Sequence, residues 1–332
     1  TVAEAVESGA QLLITHHPLL LSGVHGVPAN DPKGALVHRM IRSGVAHFVA
    51  HTNADVAAQG VSQALAQCLG LSATAPLAPD QGLALDHLTV YVPAVDCDRL
   101  ISALTEAGAG AVGNYDQCTF TVSGQGSYRP LPGADPADGE IGALTRKTEQ
   151  AVSVVLPRDR RAAVLAAMRQ AHPYQEVAFI LTEQPGLDSG TGTGRIGVLA
   201  EPMTLRDFTG YAAVRLPSTA WGIRAAGRPD QLVETVAVCG GSGASYTELA
   251  RSLGADAYLT TDLKHHGTVE AVTERQDGAG NSDAEMALVD AAHWATEWPW
   301  LPVAADLLRQ QFDGVQIGVS ALVTDPWTLH AG

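Results

Sequence analysis

The chain has 332 residues, 46% hydrophobic and 17% charged, enough for two domains with sizeable cores. No apolar run approaches the roughly 20 residues of a membrane span, which argues against a membrane partner. Lys and Arg number 20 against 35 Asp and Glu, and the net charge of -15 argues against a broad nucleic-acid surface, which needs clustered cations.

In chain order, residues 1–9 read as the later part of an amphipathic helix ending at Gly9, so structure is expected to precede Thr1. A strand is predicted over 12–14, a helix over 33–43 with Leu36, Val37, Met40 and Ile41 on one face, a strand over 45–50 and a helix over 60–69. This alternation favours a parallel sheet covered by helices. The Pro-rich stretch 75–80 reads as a linker.

Beyond it, a strand at 85–93, a helix at 96–107, a strand at 117–122, a Gly/Pro/Asp-rich loop at 124–139, a strand at 151–157, a helix at 159–171 and a strand at 177–183 are predicted. Two strand–helix–strand halves make this a ferredoxin-like α+β domain, ending in the glycine-rich stretch 186–197. From about 200 the first pattern returns. Strands are expected at 235–238, 257–260 and 286–289, helices at 246–253 and 291–298, and a last strand pair at 315–324; residues 274–285 read as a polar, mobile loop. The predicted organisation is an α/β core (1–84 and 200–332) with parallel or mixed sheets, interrupted by an α+β domain (85–199).

Chemistry collects at the predicted strand ends: His16-His17, His51 through Asp55, Asp262 through His266, and His293 with Glu297. In open α/β sheets ligands bind at the carboxyl ends of the strands. His293 and Glu297 are four apart and share a helical face. With His16, His17 and Asp55 they give five ligands of the kind that zinc, iron or manganese accept. Five are too many for one ion with an open position, but suit two ions sharing a bridging carboxylate.

Each of these residues has an ordinary alternative as a hydrogen-bonded structural group, and it is their convergence that favours metal. His51, Lys264, His265 and His266 are candidate acids, bases or oxyanion partners, and no spacing selects among them. Gly240-Gly241-Ser242-Gly243, between a strand and a helix, reads as an anion or phosphate turn or as a close-packing turn. GTGRIG (192–197) spells GxGxxG, but a strand rather than a helix is expected after it, against a dinucleotide fingerprint. The four cysteines form no CxxC pair, which fits a reducing cytoplasm.

LLITHHPLLLSG, HTNADVAAQGVSQALAQCLGL, YLTTDLKHH and LVDAAHWATE together resemble the NIF-three-like dinuclear metal-centre proteins, also called GTP cyclohydrolase 1 type 2 homologs. The resemblance implies that His17 and Asp55 serve one ion and His16 and His293 the other, with Glu297 bridging, and that chains assemble as homohexameric rings. It also implies an N-terminal strand and helix before residue 1. HPYQEV (172–177) resembles the HPYE motif of CutA-like and PII-like trimeric domains, while the same residues would serve equally to fix a turn. Two functions follow as expectations: a two-metal hydrolase of a nucleotide-like or phosphorylated small molecule, or a non-catalytic metal-holding scaffold, a dimer of trimers, with a ligand-sensing inserted domain.

Overall fold

The computed structural model describes residues 1–80, 82, 84–184, 190–272 and 286–331. The predicted loop at 274–285 lies outside the described residues. The chain divides into two compact units, Thr1–Asp80 with Gly190–Gly332, and Gln81–Ser189.

The larger unit begins with α1 (Val2–Glu7), β1 (Leu12–Thr15), α2 (Pro32–Arg42), β2 (Ala46–Val49), α3 (Thr52–Val56), α4 (Val61–Cys68) and β3 (Ser72–Pro79). Helix α2 starts where it does for local reasons. Asp31 accepts from the N–H groups of Lys33 and Gly34, each at 2.9 Å, and Pro32 occupies the first turn, where a missing N–H costs nothing.

In the smaller unit, β4 (Leu85–Pro93), α5 (Cys97–Glu106), β5 (Thr119–Tyr128), β6 (Thr145–Pro157), α6 (Arg161–Ala171) and β7 (Phe179–Gln184) form an antiparallel sheet in the order β5-β6-β4-β7, the ferredoxin-like arrangement. Alternation sends Leu88, Val90, Val92, Val152, Val154 and Leu156 to one face, where they pack with Leu100, Leu104, Val164 and Met168 of the helices. Strands β5 and β6 reach further than expected, shortening the predicted loop, because they pair continuously from Thr119↔Val154 to Tyr128↔Thr145.

Asp86 on β4 is buried and held by Arg161 at 2.6 and 2.9 Å and Arg158 at 3.1 Å, and these guanidinium groups hold its carboxyl below the ordinary range against the opposing effect of burial. A carboxyl depressed in the folded state stabilises above its unfolded value and loses that contribution as pH falls through the folded one. Asp86→Asn should therefore cost about 2 kcal/mol at neutral pH, with the difference from wild type closing below about pH 4. Hydrogen exchange of the β4 and β6 amides at pH 7 and pH 3 measures it.

The chain then returns to the larger unit with β8 (Gly192–Thr204), α7 (Leu205–Arg215), β9 (Ile223–Ala226), β10 (Leu232–Val238), α8 (Thr247–Ser252), β11 (Ala257–Thr261), α9 (His265–Val272), β12 (Ala287–Ala291), α10 (His293–Glu297) and α11 (Trp300–Gln311). Its main sheet has the order β3-β8-β10-β11-β12-β9, with β10, β11 and β12 parallel, while β1 and β2 make a parallel pair of their own. Burying Leu65, Leu69 and Phe208 of the helices against this sheet stabilises it by about 1.5–3 kcal/mol per side chain.

Three expectations are corrected here. Residues 75–80 are not a linker: β3 is an edge strand pairing with β8, and edge pairing tolerates the missing N–H groups of Pro76 and Pro79. For the same reason the boundary at 199 moves, since β8, assigned above to the inserted domain, lies between β3 and β10 in the larger unit. The strand pair at 315–324 does not form among the described residues, and Val315, Leu322 and Val323 are exposed there. The strand expected after GTGRIG is present as β8. No helix among the described residues is long and apolar enough to cross a membrane.

Candidate metal centre

Parallel pairing sends the carboxyl ends of β1 and β2, and of β10, β11 and β12, in common directions, and the polar clusters follow those ends. The two halves meet through Ala50, Ala54, Val61, Ala64 and Trp300, a small apolar cluster joining β2, α3 and α4 to α11. Trp300 also closes the back of His16, with ring centroids 5.8 Å apart.

Glu297 lies at the centre. Its carboxylate is 2.9 Å from His293 Nε2, 3.2 Å from His17 Nε2 and 3.4 Å from His16 Nε2. Asp55 Oδ1 is 3.5 Å from His16 Nε2. The helical spacing of His293 and Glu297 is realised in α10, and the five predicted ligands come together. By contact, His16 and His17 both reach Glu297 and His16 also lies beside Asp55, so the residues form one shared cluster around Glu297. His51 joins them: its ring centroid is 5.1 Å from His16 and 5.3 Å from His17, and the three offer nitrogens within 4.8 Å of one another. Lys264, His265 and His266 are instead exposed at the start of α9, the two histidines against each other, and do not contact the cluster.

The tautomers are fixed from behind. His16 Nδ1 is 2.8 Å from the Ala50 carbonyl, which only accepts, so Nδ1 carries the proton and the Nε2 lone pair faces two carboxylates. His293 Nδ1 donates to Asp262 Oδ2 at 2.5 Å, leaving its Nε2 toward Glu297. That Nε2 is buried and makes no hydrogen bond of acceptable geometry. Lone pairs facing carboxylates leave a place for a cation. In the metal-free protein protons meet the demand: Glu297 raises His293 to about 9 against burial, and Glu297 and Asp55 raise His16 although burial acts most strongly in the other direction. Burial alone would raise Glu297, but the three histidines hold it far below the carboxylate range, while Asp55 is raised by burial and by the charge of Glu297. Imidazole and carboxylate donors, an orphaned buried nitrogen and carbonyl or carboxylate groups behind the rings fit a divalent metal.

Asp262 opens the 262–266 cluster marked in the sequence, where no role falls to it. It takes a left-handed backbone (φ 57°), which turns its carboxylate back to His293. Asp262→Asn should weaken metal binding about 10–100-fold with little change in fold, measured by equilibrium dialysis against a competing chelator.

The glycine turn has a different part from an anion cradle. The N–H groups of Gly240, Gly241 and Gly243 are donated to the hydroxyls of Ser62, Thr296 and Thr260 at 3.2, 3.0 and 2.9 Å. A Cβ on Gly241 (φ +68°) would sit 2.5 Å from Glu297 Oε1 and 3.3 Å from His293 Nε2. The turn is glycine so that the backbone can pass close against these two residues.

The family model of Duf34/NIF3 (NGG1p interacting factor 3) matches residues 1–326. The chain belongs to the DUF34/NIF3 family. The GTP cyclohydrolase 1 type 2 homolog of Mycobacterium tuberculosis is 47% identical over 322 residues, 96% of this chain and 83% of the relative. That of Bacillus subtilis is 36% identical over 330 residues, 98% of this chain and 85% of the relative. Among solved structures, a Bacillus cereus protein related to NIF3 matches with 33% identity and a TM-score of 0.68, covering 99% of this chain and 85% of that one. For a DUF34/NIF3 member, the histidine–carboxylate cluster is thus carried by the segments that resembled the family in sequence.

Proposed function

We propose that the chain holds two divalent ions on His16, His17, Asp55, His293 and Glu297, and acts with them as a hydrolase of a nucleotide-like or phosphorylated small molecule. The observation that carries this is Glu297, one carboxylate within 3.4 Å of three histidine Nε2 atoms. Bound there, the ions would supply Lewis acidity, making a water more acidic and neutralising charge on the substrate.

The protein's own part is positional. Glu297 and Asp55 provide the anionic charge, Ala50 and Asp262 orient His16 and His293, and Trp300 excludes water behind His16. His51, half-buried beside His16 and His17, is placed to take a proton at the edge of the cluster. The name of the mycobacterial and Bacillus relatives, GTP cyclohydrolase 1 type 2 homolog, makes a purine nucleotide one member of the substrate class. The same proposal takes the assembly as a cytoplasmic homohexamer, a dimer of trimers, for which light scattering should give six chain masses.

Metal-loaded protein screened against nucleotides, phosphoesters and cyclic amides should turn over at least one above a Glu297→Gln control, and show about two ions per chain of zinc, iron or manganese. No turnover alongside intact metal binding would leave the non-catalytic scaffold as the reading.

A further inference from the structure

The smaller unit has a second face with chemistry of its own. Opposite the helix-packed face of its sheet lies a cavity of about 550 Å³, within the usual range of small-molecule sites. Tyr91, Tyr128 and Tyr174 line it together with Glu149, and no Lys, Arg or His does. Gly124 and Gly126 on β5 make the room. A Cβ on Gly126 would lie 1.9 Å from Glu149 Oε2, so the carboxylate rests directly over the glycine backbone.

Glu149 is only 9% exposed and has no ion-pair partner among the described residues. Lys147, two residues away on β6, is taken by Asp138. A buried carboxylate without a cation is costly, and a bound cation would remove that cost. Beside it, Tyr174 Oη is buried and makes no hydrogen bond of acceptable geometry, and burial together with Glu149 pushes the phenol above its ordinary range.

The HPYQEV motif builds this corner. His172 Nε2 donates to the Tyr91 carbonyl at 2.9 Å, and its Nδ1 accepts from the Tyr174 N–H at 3.1 Å. The ring is neutral and internal, lowered by burial, so His172 fixes the turn and leaves Tyr174 as the residue presented. Tyr174 stands 5.9 Å from Tyr128, whose hydroxyl is donated to the Asp138 carbonyl at 2.9 Å. The Gln175 side-chain oxygen accepts from the Asp135 N–H at 3.0 Å, tying the 129–144 connection over the cavity.

We propose that this cavity binds a small organic cation, an amine or quaternary ammonium compound, with Glu149 as counter-ion and the tyrosine rings as walls. Aromatic faces attract cations through their quadrupoles, and the carboxylate supplies the charge. The donor set argues against a metal ion here: of the three carboxylates in the lining only Glu149 is buried, Asp135 and Glu176 being exposed, and no group of three ligating side chains converges at this place among the described residues.

The experiment is calorimetric titration of the full chain with two probe pairs: choline against its neutral isostere 3,3-dimethylbutan-1-ol, and 1,5-diaminopentane against pentane-1,5-diol. At least one cation should bind, and bind about tenfold or more tightly than its neutral partner. Glu149→Gln should remove that preference, and Tyr174→Phe should weaken the cation's binding while hydrogen exchange of the β4 and β6 amides stays at the wild-type rate. That readout separates loss of this site from loss of the fold. The proposal is overturned if neither cation binds at millimolar concentration, if the neutral partners bind equally well, or if Glu149→Gln leaves the preference intact.

Discussion

Replacing Glu297 by glutamine should abolish retention of divalent metal through dialysis, with affinity falling about a hundredfold or more. The side-chain volume hardly changes, so the effect reads charge and donor character. Three Nε2 atoms converge on this carboxylate within 3.4 Å, and a neutral amide turns part of that surface into N–H donors aimed at the same place. The neighbouring ligands lose by association, because His16 and His293 hold their lone pairs toward Glu297. Elemental analysis of wild type and variant, prepared side by side, gives the answer. A variant that keeps the wild-type metal content while folded would show that the centre does not depend on Glu297.

The second large effect lies in the GTGRIG stretch. Arg195→Met should destabilise the larger unit by about 3–5 kcal/mol and lower its Tm by about 10 °C, read by thermal unfolding. Arg195 is 2% exposed and pairs with no carboxylate among the described residues. Its guanidinium donates to the carbonyls of Gly192, Gly194 and Ala57 at 2.8, 2.7 and 2.8 Å and to Gln63 Oε1 at 2.9 Å. Burial lowers its pKa, and the carbonyl dipoles take the place of a counter-ion.

Methionine fills much of the space but leaves those acceptors unsatisfied in the interior, where each costs about 1–3 kcal/mol. Arg195→Lys should recover only part of the loss, because a single ammonium cannot span the same acceptors. Ala57 lies two residues beyond Asp55, so the methionine variant should also bind metal more weakly. The motif that spells a nucleotide fingerprint is therefore a strut: it fastens β8 to the segment carrying Asp55.

The sequence was explicit wherever the information is local. His293 and Glu297 four apart declare a shared helical face, and they meet in α10 at 2.9 Å. Adjacent His16 and His17 after a short aliphatic strand are hard to place as two core histidines, and both reach Glu297. The period-two pattern of 85–93 becomes β4 over the same residues. Prolines misled once. Pro76 and Pro79 suggested a linker where an edge strand accepts them; helix α11, which the sequence reading leaves out, carries Pro302 in its first turn, where a missing N–H costs nothing. The strand pair expected at 315–324 finds no ladder among the described residues, and strands without a ladder do not form.

By itself, then, the sequence determined the family, the donor types gathered in the candidate site and its helical half, because these depend on residue identity and short spacing. Only the tertiary structure decided that His51 stands with His16 and His17 while His265 and His266 do not, that Asp262 reaches back across 31 residues to His293, and that Gly241 is a glycine because Glu297 lies against it. Those facts depend on which strand ends the sheets bring side by side, and pairing between distant segments leaves no periodic trace in either segment alone.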